Sequence, residues 1–231
     1  MTTQSAVIVG VGKGLSASLA RRLAKEGYRL VLVARNTDKL ADLVAETGAI
    51  PHQAETSDPA AIERLFAMVD RELGTPDLVV FNGGARYRGA IETLDPEEML
   101  RAHMVTGHAA FLVAQAAARR MLAAGRGSIF FTGATASVKS LPNSVPFAMG
   151  KFAIRALAQG LARELAPKNI HVAHFVIDGG IASSWAKGDE DGPPDKWLDP
   201  DAIADTYLMI HRQHRSAWTW EIELRPWVES F

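Results

Sequence analysis

The chain has 231 residues, of which 48% are hydrophobic and 22% are charged, the composition of an ordinary globular protein. It contains no cysteine, which excludes thiol nucleophiles, disulfide scaffolds and cysteine-ligated zinc, and a reducing cytoplasmic compartment is the expectation. The net charge of -1 leaves no overall positive field for nucleic acid. The opening apolar run, residues 6–11, is far shorter than the ~20 residues that span a bilayer, and no membrane partner is expected.

Short apolar runs alternate with longer amphipathic segments along the chain. Five runs predict strands, at residues 6–11, 30–34, 77–81, 128–132 and 171–177, and two weaker candidates lie at 49–54 and 221–224. Because the runs are apolar almost throughout, they indicate strands buried on both faces of a parallel sheet. The alternation predicts a single Rossmann-like, doubly wound α/β domain over residues 1–231, with about seven mostly parallel strands and helices on both faces.

Helices are predicted between the strands from apolar spacing and from capping residues. The segment Leu15 to Glu26 carries leucines at spacing four, and Asp58-Pro59 and Asp95-Pro96 are N-terminal capping signals. Two further predicted helices, Glu97 to Leu122 and about Phe147 to Ala166, are apolar nearly all round. A helix of this kind is buried on more than one side, so we expect a homodimer or a homotetramer.

A glycine-rich turn joins the first strand to the first helix and contains Gly10, Gly12 and Gly14. Glycines let the backbone approach a pyrophosphate closely, and the amide groups that open the helix, from Leu15 onward, bind its negative charge. A tight strand-helix connection with no ligand would also use glycine here. The position directly after the first apolar strand favours dinucleotide binding.

The end of the second strand indicates which dinucleotide binds. About twenty residues past Gly14, where an acid would hold the ribose hydroxyls of NAD, the chain reads Ala34-Arg35. An arginine suits a 2′-phosphate, and Lys13 in the glycine turn supplies a second cation. We therefore predict NADP(H) in preference to NAD(H); the alternative is that Arg35 caps the second helix.

Five segments of characteristic composition follow one another along the chain. They are Gly10-x-x-x-Gly14-x-Ser16, Glu55 to Asp58, Phe81-Asn82-Gly83-Gly84, Phe147-Ala148-Met149-Gly150-Lys151 and Asp178-Gly179-Gly180-Ile181. In type and order they resemble the motifs of the short-chain dehydrogenase/reductase family, with serine in place of the last glycine of the first motif. The resemblance implies a nicotinamide cofactor held by Gly10, Gly12, Gly14, Leu15, Thr56, Asn82, Gly83, Gly84, Lys151 and Ile181.

The catalytic residues that the resemblance implies are largely replaced. In the family a tyrosine protonates the substrate oxygen, a serine holds that oxygen, a lysine binds the ribose and an asparagine keeps a proton path. The lysine is present as Lys151, whereas Phe147 stands at the tyrosine position, Ala134 at the serine position and Thr106 at the asparagine position. A phenyl ring has no ionisable group and cannot act as a general acid.

Two functional hypotheses follow from this pattern. In the first, the protein transfers hydride between NADP(H) and a small carbonyl or enoyl/acyl-type substrate, and a hydroxyl stabilises the developing charge. The candidate hydroxyls are those of Thr135, Ser137, Ser140 and Tyr87. In the second, the site is impaired and the protein binds NADP(H) in a structural or regulatory role. The intact cofactor turn and the prevalence of enzymes with this fold favour the first hypothesis.

Two regions are expected to meet a small-molecule substrate. The run ARYRG places Tyr87 after a strand, where ligands of open α/β sheets bind, although a surface tyrosine would fit as well. Its neighbours Arg86 and Arg88 could face a carboxylate or phosphate, or be solvated. Residues 183–199, which include GDEDGPPDKW, predict a mobile loop over the substrate. The spacing of the seven histidines gives no metal site.

Overall fold

The computed structural model describes residues 3–182 and 193–230. Its strands are β1 (Ser5–Val9), β2 (Arg29–Ala34), β3 (Ile50–Gln53), β4 (Leu78–Phe81), β5 (Gly127–Thr132), β6 (Ile170–Ile177) and β7 (Glu221–Leu224). Its α-helices are α1 (Leu15–Lys25), α2 (Ala41–Thr47), α3 (Pro59–Glu72), α4 (Pro96–His103), α5 (Ala109–Ala124), α6 (Val145–Leu165) and α7 (Pro200–His211). Most of the predicted mobile loop, residues 183–192, lies outside the described residues.

The seven strands form one parallel sheet in the order β3-β2-β1-β4-β5-β6-β7. The predicted Rossmann-like, doubly wound α/β fold is thereby confirmed, and both weaker strand candidates are members of the sheet. Because all strands run the same way, the turns that follow β1, β4, β5 and β6 lie along one edge. The strand order reverses between β1 and β4, which is where doubly wound sheets bind their ligands.

Alternate residues of the strands supply two separate hydrophobic cores. In β1, Val7 and Val9 pack into the core beneath α3, α5 and α6. Ala6 and Ile8 point the other way, into the core with α1, α2 and α7. Since both faces of the sheet are covered by helices, the strands need apolar residues at successive positions, which explains the nearly continuous apolar runs.

The two aspartates predicted as N-caps begin helices α3 and α4. The Asp58 carboxylate accepts a hydrogen bond from the backbone N–H of Ala60 at 2.9 Å, and Asp95 accepts one from Glu97 at 2.8 Å. The first strand is shorter than predicted, because Gly10 takes a φ of 87° and turns the chain directly after Val9. No helix in the two described stretches combines the length and apolarity needed to cross a membrane.

The helix predicted from Glu97 to Leu122 is helical over that whole range, but it is not a single α-helix. A π-helical segment, Met104–His108, separates α4 from α5. Within it the Thr106 hydroxyl donates to the carbonyl of Ala102 at 2.7 Å and accepts the N–H of Ala85 at 3.1 Å. The Thr106 hydroxyl thus bonds one backbone group of the helix and one of the turn after β4. The spacing of apolar residues contains no information about such hydrogen bonds, so it does not predict the π-helical segment.

Candidate functional site

A cleft of about 770 Å³ opens along the edge where β1, β4, β5 and β6 end. Eleven predicted site residues line it: Lys13, Gly14, Leu15, Asn82, Gly83, Gly84, Ala134, Thr135, Phe147, Lys151 and Ile181. The other predicted residues, Gly10, Gly12, Arg35, Thr56 and Thr106, are not part of its lining. The fold therefore brings the glycine turn and the altered catalytic positions to the two ends of one cavity.

The glycine turn is locked against the turn that follows β4. A Cβ atom on Gly10 would lie 2.7 Å from the backbone nitrogen of Gly83, so no larger residue fits without displacing it. The Ser16 hydroxyl donates to the carbonyl of Gly10 at 3.1 Å and accepts the amide of Asn82 at 2.6 Å. The serine that replaces the family's last glycine therefore ties the two turns together, a role that the sequence did not reveal.

The same turn fits a dinucleotide. No side chain caps the start of α1, and its first turn carries no acid. A Cβ atom on Gly12 or Gly14 would meet no other atom within 4 Å, so the backbone here faces open space. Uncapped amide groups at an open helix N-terminus form an anion site, which is what a pyrophosphate requires.

The surroundings of Lys13 are more mixed in charge than the sequence suggested. Lys13 also lines an adjoining pocket of about 440 Å³, together with Lys39 and the acids Asp38 and Asp42. These acids follow the second strand by a few residues and were missed by counting from the glycine turn. Arg35 is exposed at the end of β2, and its carbonyl accepts the amide of Gln53.

Lys151 is buried at the inner end of the cleft. It is 7% exposed, and its ammonium donates to the carbonyl of Thr132 at 2.8 Å. Burial lowers the pKa of Lys151 to about 8, because a cation loses its hydration there. Its Nζ atom lies 6.0 Å from the centre of the Phe147 ring. The family lysine is thus in place beside a ring that carries no hydroxyl.

The hydroxyl of Thr135, predicted as a replacement donor, is already engaged. It donates to the carboxylate of Asp178 at 2.5 Å, and that carboxylate accepts a second hydrogen bond from Arg225 at 2.7 Å. Asp178 is buried and follows the end of β6. In this arrangement the Thr135 proton points at a carboxylate, so the side chain cannot donate it to a substrate oxygen.

The remaining candidate hydroxyls do not line the cleft. Ser137 is buried and accepts the N–H of Ala134 at 3.0 Å, and Tyr87 accepts the N–H of Asp95 at 2.8 Å. Ser140 is exposed. The positions of these three hydroxyls therefore do not support the expectation that one of them contacts the substrate.

Two predicted site residues, Thr106 and Thr56, are not part of the cleft lining. Thr106 is buried in the π-helical segment with both of its side-chain hydrogen bonds on backbone atoms. A Cβ atom on Gly150 would lie 2.9 Å from the methyl carbon of Thr106. The glycine therefore allows α6 to pack closely against the π-helical segment. Thr56 is half-buried in the turn between β3 and α3.

Two large side chains that were not among the predicted site residues also line the cleft. The indole of Trp197 lies against Gly180, where a Cβ atom would come within 2.1 Å of the ring. The carboxylate of Glu229, near the C-terminal end, lines the cleft beside Gly179. Trp197 belongs to the segment predicted as a loop over the substrate, whereas no local pattern points to Glu229. Over residues 3–182 and 193–230 no group of acids and histidines is arranged to hold a metal ion.

Comparison with known proteins agrees with this geometry. The family model described as short chain dehydrogenase matches residues 4–191. A short-chain dehydrogenase from Rhodopseudomonas palustris is 34% identical, with a TM-score of 0.84 over 97% of this chain and 99% of that chain. A metagenomic short-chain oxidoreductase solved in complex with NADP is 26% identical, with a TM-score of 0.83 over 96% of this chain and 97% of that one.

The curated relatives include proteins named as reductases. Versicolorin reductase 1 of Aspergillus parasiticus is 32% identical over 182 residues, which cover 76% of this chain and 69% of that protein. The match to the family model and the identity to the Rhodopseudomonas palustris protein extend over most of the chain. The chain therefore belongs to the short-chain dehydrogenase family of oxidoreductases.

Proposed function

We propose that the protein is an NADP(H)-dependent reductase with a non-standard catalytic site, acting on a small carbonyl or enoyl/acyl-type compound. The observation that carries the proposal is Lys151, a charged group kept buried at the inner end of an open cleft whose other end is a dinucleotide turn. A buried amine with a strongly lowered pKa costs stability, and such groups concentrate at functional sites.

The cofactor, when bound, supplies a hydride from its nicotinamide ring. The uncapped start of α1 would hold the pyrophosphate, and Lys13 with Arg35 would hold the 2′-phosphate. The NADP-bound metagenomic relative supports this cofactor class. Asp38 and Asp42 beside Lys13 reduce the attraction of that cation for a phosphate.

Lys151 is the group we assign to the substrate oxygen. An ammonium has three N–H donors, and the carbonyl of Thr132 takes one of them. With a pKa near 8, the side chain is still protonated at neutral pH yet gives up a proton far more readily than an exposed lysine. It can therefore stabilise an alkoxide or enolate oxygen and protonate it, which the Phe147 ring cannot do.

A catalytically impaired NADP(H)-binding protein is the second candidate. It is favoured by the engagement of Thr135 with Asp178 and by the missing hydroxyls at positions 134 and 147. A panel of ketones, aldehydes and enoyl thioesters with NADPH separates the two candidates. NADPH consumption with any of them supports the reductase, and tight binding without turnover on the whole panel supports the impaired protein.

Titration of both cofactors tests the assigned cations. Charge-assisted contacts to a phosphate contribute about 1.5–3 kcal/mol each, so NADPH should bind at least about tenfold more tightly than NADH. The double variant Lys13→Gln/Arg35→Gln should lose this preference and keep its NADH affinity. Lys25→Gln, at the far end of α1, is the charge-matched control and should change neither affinity. Equal affinities in the unmodified protein would contradict the NADP(H) assignment.

A further inference from the structure

A small inner pocket of about 170 Å³ adjoins the cleft at its catalytic end. Arg88 lines only the inner pocket, and six residues line both cavities: Arg86, Ala134, Thr135, Phe147, Ile177 and Gly179. Its volume is below the roughly 300–1,000 Å³ typical of sites for drug-sized ligands, so it suits one end of a small molecule. A group bound there would lie next to the substrate position of the proposed reaction.

The lining of this pocket combines positive charge with apolar walls. Leu141, Phe147 and Ile177 form apolar surface, and Arg86 and Arg88 supply two guanidinium groups. No acid is among the lining residues, and neither arginine forms an ion pair with another residue of the described chain. An unpaired guanidinium beside a cavity has a fork of donors that matches a carboxylate or a phosphate.

The segment that carries the two arginines is held in place at alternate residues. The N–H of Ala85 donates to Thr106 at 3.1 Å, the Tyr87 hydroxyl accepts the N–H of Asp95 at 2.8 Å, and the N–H of Gly89 donates to the carbonyl of Asn143 at 3.0 Å. Positions 86 and 88, between these anchors, are the ones that line the pocket. Pre-ordering of this kind reduces the entropy lost when a ligand binds.

The phenyl ring at position 147 contributes to the same arrangement. The guanidinium carbon of Arg88 lies 6.0 Å from the ring centre, at the limit of a cation–π contact. Phe147 thus offers an aromatic surface to Arg88 while Lys151 lies at the same distance from the ring. The phenyl ring at the substituted position of the family motif therefore lies near an arginine that lines the inner pocket.

We propose that Arg86 and Arg88 bind an anionic group of the substrate, a carboxylate or a phosphate, and that the substrate is a small acidic carbonyl or enoyl compound. This inference rests on the proposed reductase function for the position of the reacting carbon. The anionic group would lie in the inner pocket, and the apolar walls would contact the carbon chain next to it. The arginines then select the substrate and Lys151 acts on its oxygen.

Ligand binding tests the arginines without any need for turnover. Calorimetric titrations with benzoate, phenyl phosphate and benzamide would be run on the protein alone and on its NADP⁺ complex. We expect at least one of the two anions to bind about tenfold or more tightly than benzamide, and the anion bound more tightly identifies the group. In Arg88→Gln this preference should fall by about 10- to 100-fold. Arg88→Lys should retain part of it, and Arg71→Gln, an exposed arginine on α3, should retain all of it.

Turnover supplies the second measurement, with 4-oxopentanoate and its methyl ester as a matched pair. We expect a lower KM for the acid, and a loss of that difference in Arg88→Gln with NADPH affinity unchanged. Equal affinity for benzoate, phenyl phosphate and benzamide, or an anion preference that survives Arg88→Gln, would overturn the inference. Failure of the proposed function has a different signature: NADPH does not bind or is never consumed, while the titrations still report on the pocket.

Discussion

Phe147 occupies the position where the family has its acid, and the structure shows what surrounds the ring in place of that chemistry. Two cations lie near the ring, the ammonium of Lys151 and the guanidinium of Arg88, each 6.0 Å from its centre. A tyrosine would keep this aromatic face and add a hydroxyl on its rim. The substitution therefore removes the proton donor without removing the surface that the cations contact.

The double variant Phe147→Tyr/Ala134→Ser should gain carbonyl reduction. It adds the phenol and the hydroxyl that the family uses, and general acid catalysis is typically worth 10²–10⁴-fold. We expect at least a 100-fold rise in kcat/KM for a small ketone with NADPH, measured by cofactor consumption, and a smaller rise in Phe147→Tyr alone. Rapid ketone turnover by the unmodified protein that also survives Lys151→Ala would contradict the placement of the active site.

Replacement of Lys151 by methionine should stabilise the protein at neutral pH and weaken cofactor binding. Because burial lowers the pKa from 10.5 to about 8, the charged form costs about 3 kcal/mol in the folded state. Loss of the hydrogen bond to Thr132 offsets part of this, which leaves about 1–2 kcal/mol, or roughly 2–8 °C in Tm. Thermal unfolding and NADPH titration measure the two effects.

The stability gain should depend on pH in a defined direction. Between pH 8 and pH 10.5 the unfolded chain holds a proton on Lys151 that the folded protein has released, so the unfolding free energy of the unmodified protein rises with pH in that window. The cost of the charge is fully present below pH 8 and absent above pH 10.5. A difference between Lys151→Met and the unmodified protein that does not shrink across this window would contradict the assignment.

The turns after β1 and β4 act as one unit, because Gly10 leaves no room between them. Gly10→Ala would place a methyl group 2.7 Å from the nitrogen of Gly83 and a side chain on a residue with a φ of 87°. We expect the unfolding free energy to fall by about 2–4 kcal/mol, from overpacking together with backbone strain. Denaturant unfolding measures this change.

Gly12→Ala is the matched control within the same turn. Its added methyl group meets no atom within 4 Å, so stability should change by less than about 1 kcal/mol. The methyl group would extend from a turn that we assign to the pyrophosphate, and NADPH affinity should fall. If both variants lost the same stability, the close approach of Gly10 to the β4 turn would not explain the effect.

The face of the molecule formed by α4, α5 and α6 exposes several large apolar side chains. These are Leu100, Phe111, Leu122, Met149 and Phe152. Water contact with a patch of this kind is unfavourable, and such patches mark association sites. The two helices predicted to be apolar nearly all round are thus buried against the sheet on one side and carry an uncovered apolar surface on the other. We retain the prediction of a homodimer or homotetramer on this ground.

Sedimentation measures the predicted association directly. A stable subunit interface buries on the order of 1,600 Å², so a species larger than the 25.0 kDa chain should be present at micromolar concentration. Phe111→Glu/Phe152→Glu should dissociate it, because charges would be buried in the interface. Met209→Glu, on α7 across the sheet, is the control and should leave the assembly intact. A 25.0 kDa species in the unmodified protein would refute the prediction.

Patterns among neighbouring residues were sufficient to predict the fold class of the whole molecule. Apolar runs, the glycine turn and the capping aspartates at positions 58 and 95 depend on neighbouring residues, and the parallel sheet and the starts of α1, α3 and α4 followed from them. The order of the motifs placed eleven predicted site residues in one cleft. These properties follow from backbone periodicity and from the requirement that a parallel sheet be covered on both faces.

Contacts between distant residues lay beyond the sequence patterns. Ser16 meets Asn82 across 66 positions and Thr135 meets Asp178 across 43, and each contact changes what a hydroxyl can do. The Thr106 hydroxyl likewise accepts the N–H of Ala85, 21 positions away, from within the π-helical segment. A side chain's free donors, its pKa and the charge of a pocket are set by whichever atoms the fold brings next to it. Sequence order carries almost no record of those neighbours, which is why the residue types of the site were predictable and its available chemistry was not.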